Sequence, residues 1–303
     1  MKITGTILFL VMSLGVAGCG GPSSVVAPSR TTPVGQQIGG SVSGIRGFVL
    51  DSGFRAVPGA RVEVVDGQSA GASTTTDASG QFSLAGTFTS TDRFRAIKDG
   101  YVTATQPWNC SIGASCPGAN PWLGFYLAPL AQPVNIAGDY TLTFTADAAC
   151  PNLPPEARVR SYPATIAPSQ YLTVPANTLL HVTVGGGSFL DTLNGFDIGV
   201  AGDYLGFSLD GGHDPTIVEQ LAPNTYLAFS GSAAASVGTP PASTISTSFD
   251  GWIDYCVMPS PIPSAHGYYN CGTSNTTGEP IPGAAVVYAH CESKAHRLTL
   301  TRR

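Results

Sequence analysis

Asp139-Tyr140-Thr141-Leu142-Thr143-Phe144-Thr145 alternates apolar and polar side chains without a break. Successive side chains of a strand point to opposite faces, so Tyr140, Leu142 and Phe144 share one face and the threonines the other. A helix would scatter these residues round its circumference, so the stretch reads as a half-buried strand. Comparable signals recur at 157–166, 179–184, 196–200, 204–209, 226–232, 244–255, 284–289 and 296–301, separated by glycine and proline turns. Eight or nine short strands with almost no helix signal predict an antiparallel β-barrel or sandwich over residues 134–303. Pairing its first strand with its last would remove exposed edges.

Upstream, the same period of two appears in shorter pieces. Ile45, Phe48 and Leu50 lead into the turn Asp51-Ser52-Gly53. Val62 and Val64 alternate with Arg61 and Glu63 after the turn Val57-Pro58-Gly59-Ala60. In Thr76-Asp77-Ala78-Ser79-Gly80, Asp77 is placed to accept backbone N–H bonds and Gly80 is free to take positive φ. Phe82 with Leu84, Phe94 with Ala96, and Phe125 with Leu127 supply three further inward-facing pairs.

Taken in order, Gly47-Phe48-Val49-Leu50-Asp51, Val57-Pro58-Gly59-Ala60-Arg61-Val62, Thr76-Asp77-Ala78-Ser79-Gly80-Gln81-Phe82 and Lys98-Asp99-Gly100-Tyr101 resemble the carboxypeptidase regulatory-like domain. The resemblance covers residues 44–130. It implies a transthyretin-like β-sandwich serving as a non-catalytic spacer or binding module. Residues 106–121 are longer than a minimal connection and carry Trp108, Cys110 and Cys116, with Trp122 directly after them. Trp108 and Trp122 offer a sugar-stacking platform, since aromatic faces bind apolar ring surfaces. The simpler reading has them cover the end of the core.

A weaker resemblance links residues 134–303 to calycin-type, lipocalin-like barrels. It rests on Gly138-Asp139-Tyr140 at the start and Arg302 near the end, which implies that aromatic and arginine pack together at a closed barrel end. Tyrosine stands where lipocalins have tryptophan, and their other motifs are not evident.

Charged residues are 11% of the 303-residue chain, against 37 glycines and 24 prolines. That is the composition of an all-β, turn-rich exported protein. The N-terminus agrees. Lys2 precedes an apolar run from Ile7 to Ala17, too short for the roughly 20 residues a spanning helix needs. Val16-Ala17-Gly18-Cys19 then resembles the lipobox of bacterial lipoproteins. The resemblance implies a signal peptide over 1–18 and lipidation of Cys19 by acyl chains of the palmitate kind. Gly20 is not the aspartate of inner-membrane retention, which favours the outer membrane. Residues 19–43 are rich in Gly, Ser, Pro, Thr and Gln and read as a flexible tether. Removing the signal leaves 13 basic against 19 acidic side chains, a formal charge of −6. Such a surface predicts no nucleic acid partner, leaving the lipid as the membrane attachment.

Six cysteines remain: Cys110, Cys116, Cys150, Cys256, Cys271 and Cys291. An even number in an exported chain predicts disulfides, although six cysteines allow about 15 pairings. Spacing favours Cys110 with Cys116. Cys150 follows the first strand of the second domain and Cys291 precedes its last, so these two are paired. Cys256 with Cys271 remains.

Candidate chemistry is sparse. His290, Glu292 and His296 would share a face of one continuous strand, but Cys291 is better placed in a disulfide, so no metal site is assigned. His213 lies between Asp210 and Asp214 in a glycine-rich loop with no serine elbow, and is read as a turn. His181 faces the polar side of its strand. Asp250 and Asp254 would lie about 13 Å apart on one strand face, too far for a glycosidase pair at about 5 to 9.5 Å. No catalytic residue and no cofactor is assigned. The leading function is a monomeric, envelope-anchored, non-catalytic module for a glycan, polymer or protein partner. The alternatives are a carrier of a small apolar ligand in the barrel, or a polymer-degrading hydrolase.

Overall fold

The computed structural model describes residues 42–89, 91–107, 122–169, 178–209, 215–238, 241–260 and 285–303. The first domain contains β1 (Val42–Asp51), β2 (Arg61–Val64), β3 (Ser73–Thr75), β4 (Gln81–Phe88), β5 (Arg93–Ile97), β6 (Ala104–Pro107) and β7 (Trp122–Leu127). A three-stranded sheet, β4-β1-β7, faces a four-stranded sheet, β3-β2-β5-β6. Strand β7 runs parallel to β1, and the other pairs are antiparallel. Ile45, Val49, Val62, Phe82, Phe94 and Phe125 fill the space between the sheets. Phe48 departs from the expected inward set. Ile45, Gly47 and Val49 point inward at period two, so Phe48 and Leu50 point outward and are only half-buried.

The turn at 76–80 forms as its residue types require. Asp77 Oδ1 accepts from the Ser79 and Gln81 amides at 2.8 and 2.9 Å, and Gly80 has φ +75°. Thr76 fixes the neighbouring turn from inside, donating to the Val57 carbonyl and accepting from the Ala60 amide.

The second domain comprises β8 (Gly138–Thr145), a helical turn α1 (Pro155–Arg158), β9 (Val159–Pro168), β10 (Leu179–Val184), β11 (Phe189–Ala201), β12 (Tyr204–Ser208), β13 (Ile217–Ala222), β14 (Thr225–Ser236), β15 (Thr244–Val257) and β16 (Val287–Arg302). Eight strands close into an antiparallel barrel, β8-β16-β15-β14-β12-β11-β10-β9 and back to β8. First strand pairs with last, from Thr145 opposite Arg297 to Tyr140 opposite Arg302. Strand β13, absent from the expected set, pairs with the far ends of β11 and β14 and continues the slot that β12 leaves. Residues 287–289 and 296–301, from two separately expected segments, belong to one 16-residue strand, Val287–Arg302. Residues 157 and 158 belong to the helical turn, because the fixed φ of proline at its start suits the first turn of a helix.

An eight-stranded barrel is just wide enough for its own side chains to fill. Phe144 stacks on Phe229 with centroids 4.3 Å apart, Phe249 tilts against Phe144 at 6.0 Å, and Phe196 meets Phe207. Each fully buried aromatic of this kind contributes about 1.5–3 kcal/mol by leaving water. The opening tyrosine and the late arginine also meet. Arg302 Nη2 donates to Tyr140 Oη at 2.9 Å, and the tyrosine hydroxyl donates to the Ile136 carbonyl at 2.8 Å.

Sandwich and barrel belong to one compact unit. The loop after β1 packs on the barrel wall where Gly199 of β11 and Gly206 of β12 lie directly opposite each other. A Cβ at either glycine would strike the backbone of Ser52 or Gly53. Ser52 Oγ donates to the Val200 carbonyl at 2.6 Å, and Arg55 lies over the Tyr204 ring at 4.1 Å. Phe54 adopts φ +68°, a conformation disfavoured for a bulky residue, and rests its ring against the same glycine pair.

Candidate functional site

The outer face of β4-β1-β7 carries a row of aromatic rings. Trp122 is 55% exposed and Tyr126 37%, and both point away from the core because Leu123, Phe125 and Leu127 take the alternate inward positions. Between them on β7 stands Gly124. A Cβ there would lie 2.5 Å from the Phe48 ring, so the glycine makes room for Phe48 to cross from β1. The centroid spacings are 6.1 Å from Trp122 to Phe48, 5.8 Å from Phe48 to Tyr126 and 6.4 Å from Tyr126 to Phe54. Partial desolvation holds the Tyr126 phenol above its ordinary pKa, so it stays a neutral donor. Single exposed apolar residues are ordinary, but a contiguous row is the kind of surface that marks an interaction site.

Beside Trp122 the face dips into a cleft of about 510 Å³, lined by Arg46, Thr74, Asp77, Gln81 and Ser83 among others. Aromatic wall and polar floor therefore adjoin. Hydrogen bonds from Ser79 and Gln81 hold the Asp77 carboxyl below its ordinary range, so it is ionised at neutral pH. The arrangement can stack a ring on the indole and hydrogen-bond its hydroxyls from the floor. Of the two tryptophans singled out in the sequence, Trp122 lies at this site. Trp108 lies outside the described residues, as do Cys19, Cys110, Cys116, Cys271 and the 210–214 loop with Asp210, His213 and Asp214. Phe48, Tyr126 and Arg46 were missed as site residues. The signal for them was available, since Ile45, Gly47 and Val49 hold the inward series of β1 at period two and leave Arg46 and Phe48 together on the outer face.

The histidines of β16 do not share a face. Asp250 of β15 is opposed by two residues of β16, a bulge between the pairs Gly251–Ser293 and Phe249–His296. A slip of one residue moves the following side chains to the other face. His290 and Glu292 therefore point outward, while His296 is 1% exposed inside. His296 Nδ1 accepts from the Asp147 amide at 2.9 Å. An amide only donates, so the ring proton sits on Nε2, which faces the Cys291 carbonyl at 3.2 Å. Both nitrogens are engaged, although His296 lies beside Cys150 and Cys291. Those two cysteines are disulfide-bonded, with Cα atoms 5.8 Å apart, tying the segment after β8 to β16. Cys256 is also disulfide-bonded.

Outside the barrel, His290 Nδ1 meets Asp254 Oδ1 at 2.6 Å and His181 Nδ1 meets Asp197 Oδ1 at 2.9 Å. Neither imidazole hydrogen-bonds a serine, threonine or cysteine among the described residues, the arrangement nucleophilic catalysis uses. Ser293, Asp147 and His296 do cluster, but the serine donates to the carboxylate at 2.5 Å and not to the imidazole. Asp250 pairs with Lys294 at 3.7 Å, away from Asp254. At one end of the barrel, buried Glu219 accepts from the Tyr162 hydroxyl at 2.7 Å and pairs with Arg160. Burial pushes the Tyr162 phenol far above its ordinary range.

Residues 44–115 match the family model of the carboxypeptidase regulatory-like domain. The match ends before β7, yet β7 completes the sheet by pairing with β1, so the folded domain reaches Leu127. No curated protein and no solved structure matches the chain.

Proposed function

We propose that this chain is an envelope-anchored lipoprotein whose sandwich is a non-catalytic polysaccharide-binding module. The barrel is the rigid body that holds the module in place. One observation carries the reading: an exposed aromatic row, Trp122–Phe48–Tyr126, borders a cleft with a hydrogen-bonding floor. Aromatic area at the centre of a contact is the largest favourable term available there. The carrier alternative finds less support, because large rings occupy the described barrel interior. The anchor rests on the N-terminal pattern ending at Cys19.

Affinity electrophoresis of the full chain in detergent, through gels holding different polysaccharides, tests the module. Wild type is retarded and Trp122→Ala migrates freely. Equal mobility of the two in every gel refutes the reading. For the anchor, wild type partitions into detergent phase and Cys19→Ser does not.

A further inference from the structure

The cations of the sandwich are accounted for with one exception. Arg55 pairs with Asp51, Arg61 and Arg95 with Glu63, and Arg93 with Asp66, while Lys98 reaches the Gly59 carbonyl. Among the described residues Arg46 alone of this group makes no side-chain hydrogen bond or ion pair. It stands directly opposite Trp122 in the parallel β1–β7 register, and the two line the same cleft. Asp77 lines the same cleft as an ionised carboxylate but forms no ion pair with Arg46, its Oδ1 accepting three hydrogen bonds within its own turn.

An unpaired guanidinium beside an exposed indole is a receptor with two parts. The indole covers the apolar face of a ring, and the guanidinium matches a carboxylate with two parallel N–H donors. We propose that the cleft selects an acidic sugar, a ring bearing a uronic-type carboxylate, with the ring on Trp122 and the carboxylate on Arg46. This rests on the polysaccharide-binding reading and names its ligand class. Gln81 and Ser83 supply further polar contacts to the hydroxyls of the same ring.

The test uses the full chain in detergent with four probes: polygalacturonate, its methyl ester, neutral dextran and dextran sulfate. The ester keeps the ring and removes the charge. Wild type should bind polygalacturonate about tenfold more tightly than the ester, the scale of one charge-assisted pair. Arg46→Gln should abolish the preference, so that acid and ester bind alike. Trp122→Ala should weaken both. Equal affinity for acid and ester, or no effect of Arg46→Gln, overturns the acidic-sugar assignment while Trp122-dependent ester binding keeps the polysaccharide reading. Dextran sulfate bound as tightly as polygalacturonate also overturns it, in favour of charge alone. Failure to bind any of the four, or any other glycan in the wider gel set, refutes the polysaccharide reading itself.

Discussion

In the barrel, Phe144 lies on Phe229 with their centroids 4.3 Å apart, and neither ring reaches solvent. In the sandwich, Phe48 stands between Trp122 and Tyr126 on a face open to water. The two domains share the period-two alternation of strands but use their rings differently. The barrel turns Phe144, Phe196, Phe207, Phe229 and Phe249 inward and gains packing, while Trp252 and Tyr288 flank His290 on its outside. The sandwich fills its core with rings such as Phe82 and Phe125 and still keeps a second set outside. That outer set is available to stabilise contact with something else. Position on the strand, rather than residue type, separates a ring that holds the fold from a ring that binds.

Substitution should split the two sets most sharply. Phe144→Ala removes a fully buried ring and should cost about 3–5 kcal/mol in urea unfolding, with polysaccharide affinity retained wherever the protein is folded. Trp122→Ala should change stability by less than about 0.5 kcal/mol, as exposed sites do, while losing the binding. Comparable destabilisation by the two variants would break the distinction.

The closures of the barrel come next. The Cys150–Cys291 bond joins residues 141 apart in sequence, so its loss frees a long loop in the unfolded chain. Replacing both by serine should cost about 2–5 kcal/mol, read as a lower urea midpoint. An unchanged midpoint would assign the closure to the β8–β16 ladder alone. At the domain junction, Gly206→Ala places a methyl group against the Gly53 backbone and should cost about 1–3 kcal/mol through overpacking. Gly44→Ala is the control, because its Cβ would meet only the Leu84 carbonyl at 3.6 Å. If Gly206→Ala proves as silent as the control, the glycine pair does not set the docking of the two domains.

Alternation made both β-domains legible in the sequence, and the first-to-last pairing followed from the need to remove edges. Turn chemistry at Asp77 and Gly80 was equally readable, because those residue types have few other uses there. The bulge opposite Asp250 was not, since Ser293-Lys294-Ala295 carries no glycine and its extra residue exists only relative to β15. That one residue separated His290 from His296 and dissolved the shared histidine face. The cleft was half legible. Trp122 is conspicuous anywhere, whereas the freedom of Arg46 depends on where each acidic partner of the other arginines ends up. Gly199 and Gly206 read as ordinary strand glycines until the loop at Ser52 and Gly53 is seen to lie on them.

The smallest expected effect is a pH dependence in which the two histidines of β16 act in opposite directions. Burial lowers the pKa of His296, so below the ordinary value of 6.5 the unfolded chain binds a proton that the folded one resists. Its contribution is present above about pH 6.5 and declines as pH falls. The Asp254 carboxylate raises the pKa of His290 against some desolvation, so the folded chain holds that proton more strongly. Its contribution is complete below 6.5 and declines as pH rises through the raised value. Because the His290 side chain is 41% exposed, screening keeps its share the lesser one. Urea midpoints of the wild-type chain at several pH values between 5 and 8 should therefore fall mainly on the acid side. His296→Asn should flatten that acid limb whatever it does to absolute stability, and His290→Gln should remove the shallow decline on the alkaline side. An acid limb that persists unchanged in His296→Asn would place its origin elsewhere and deny the buried imidazole its role as the neutral acceptor of the Asp147 amide.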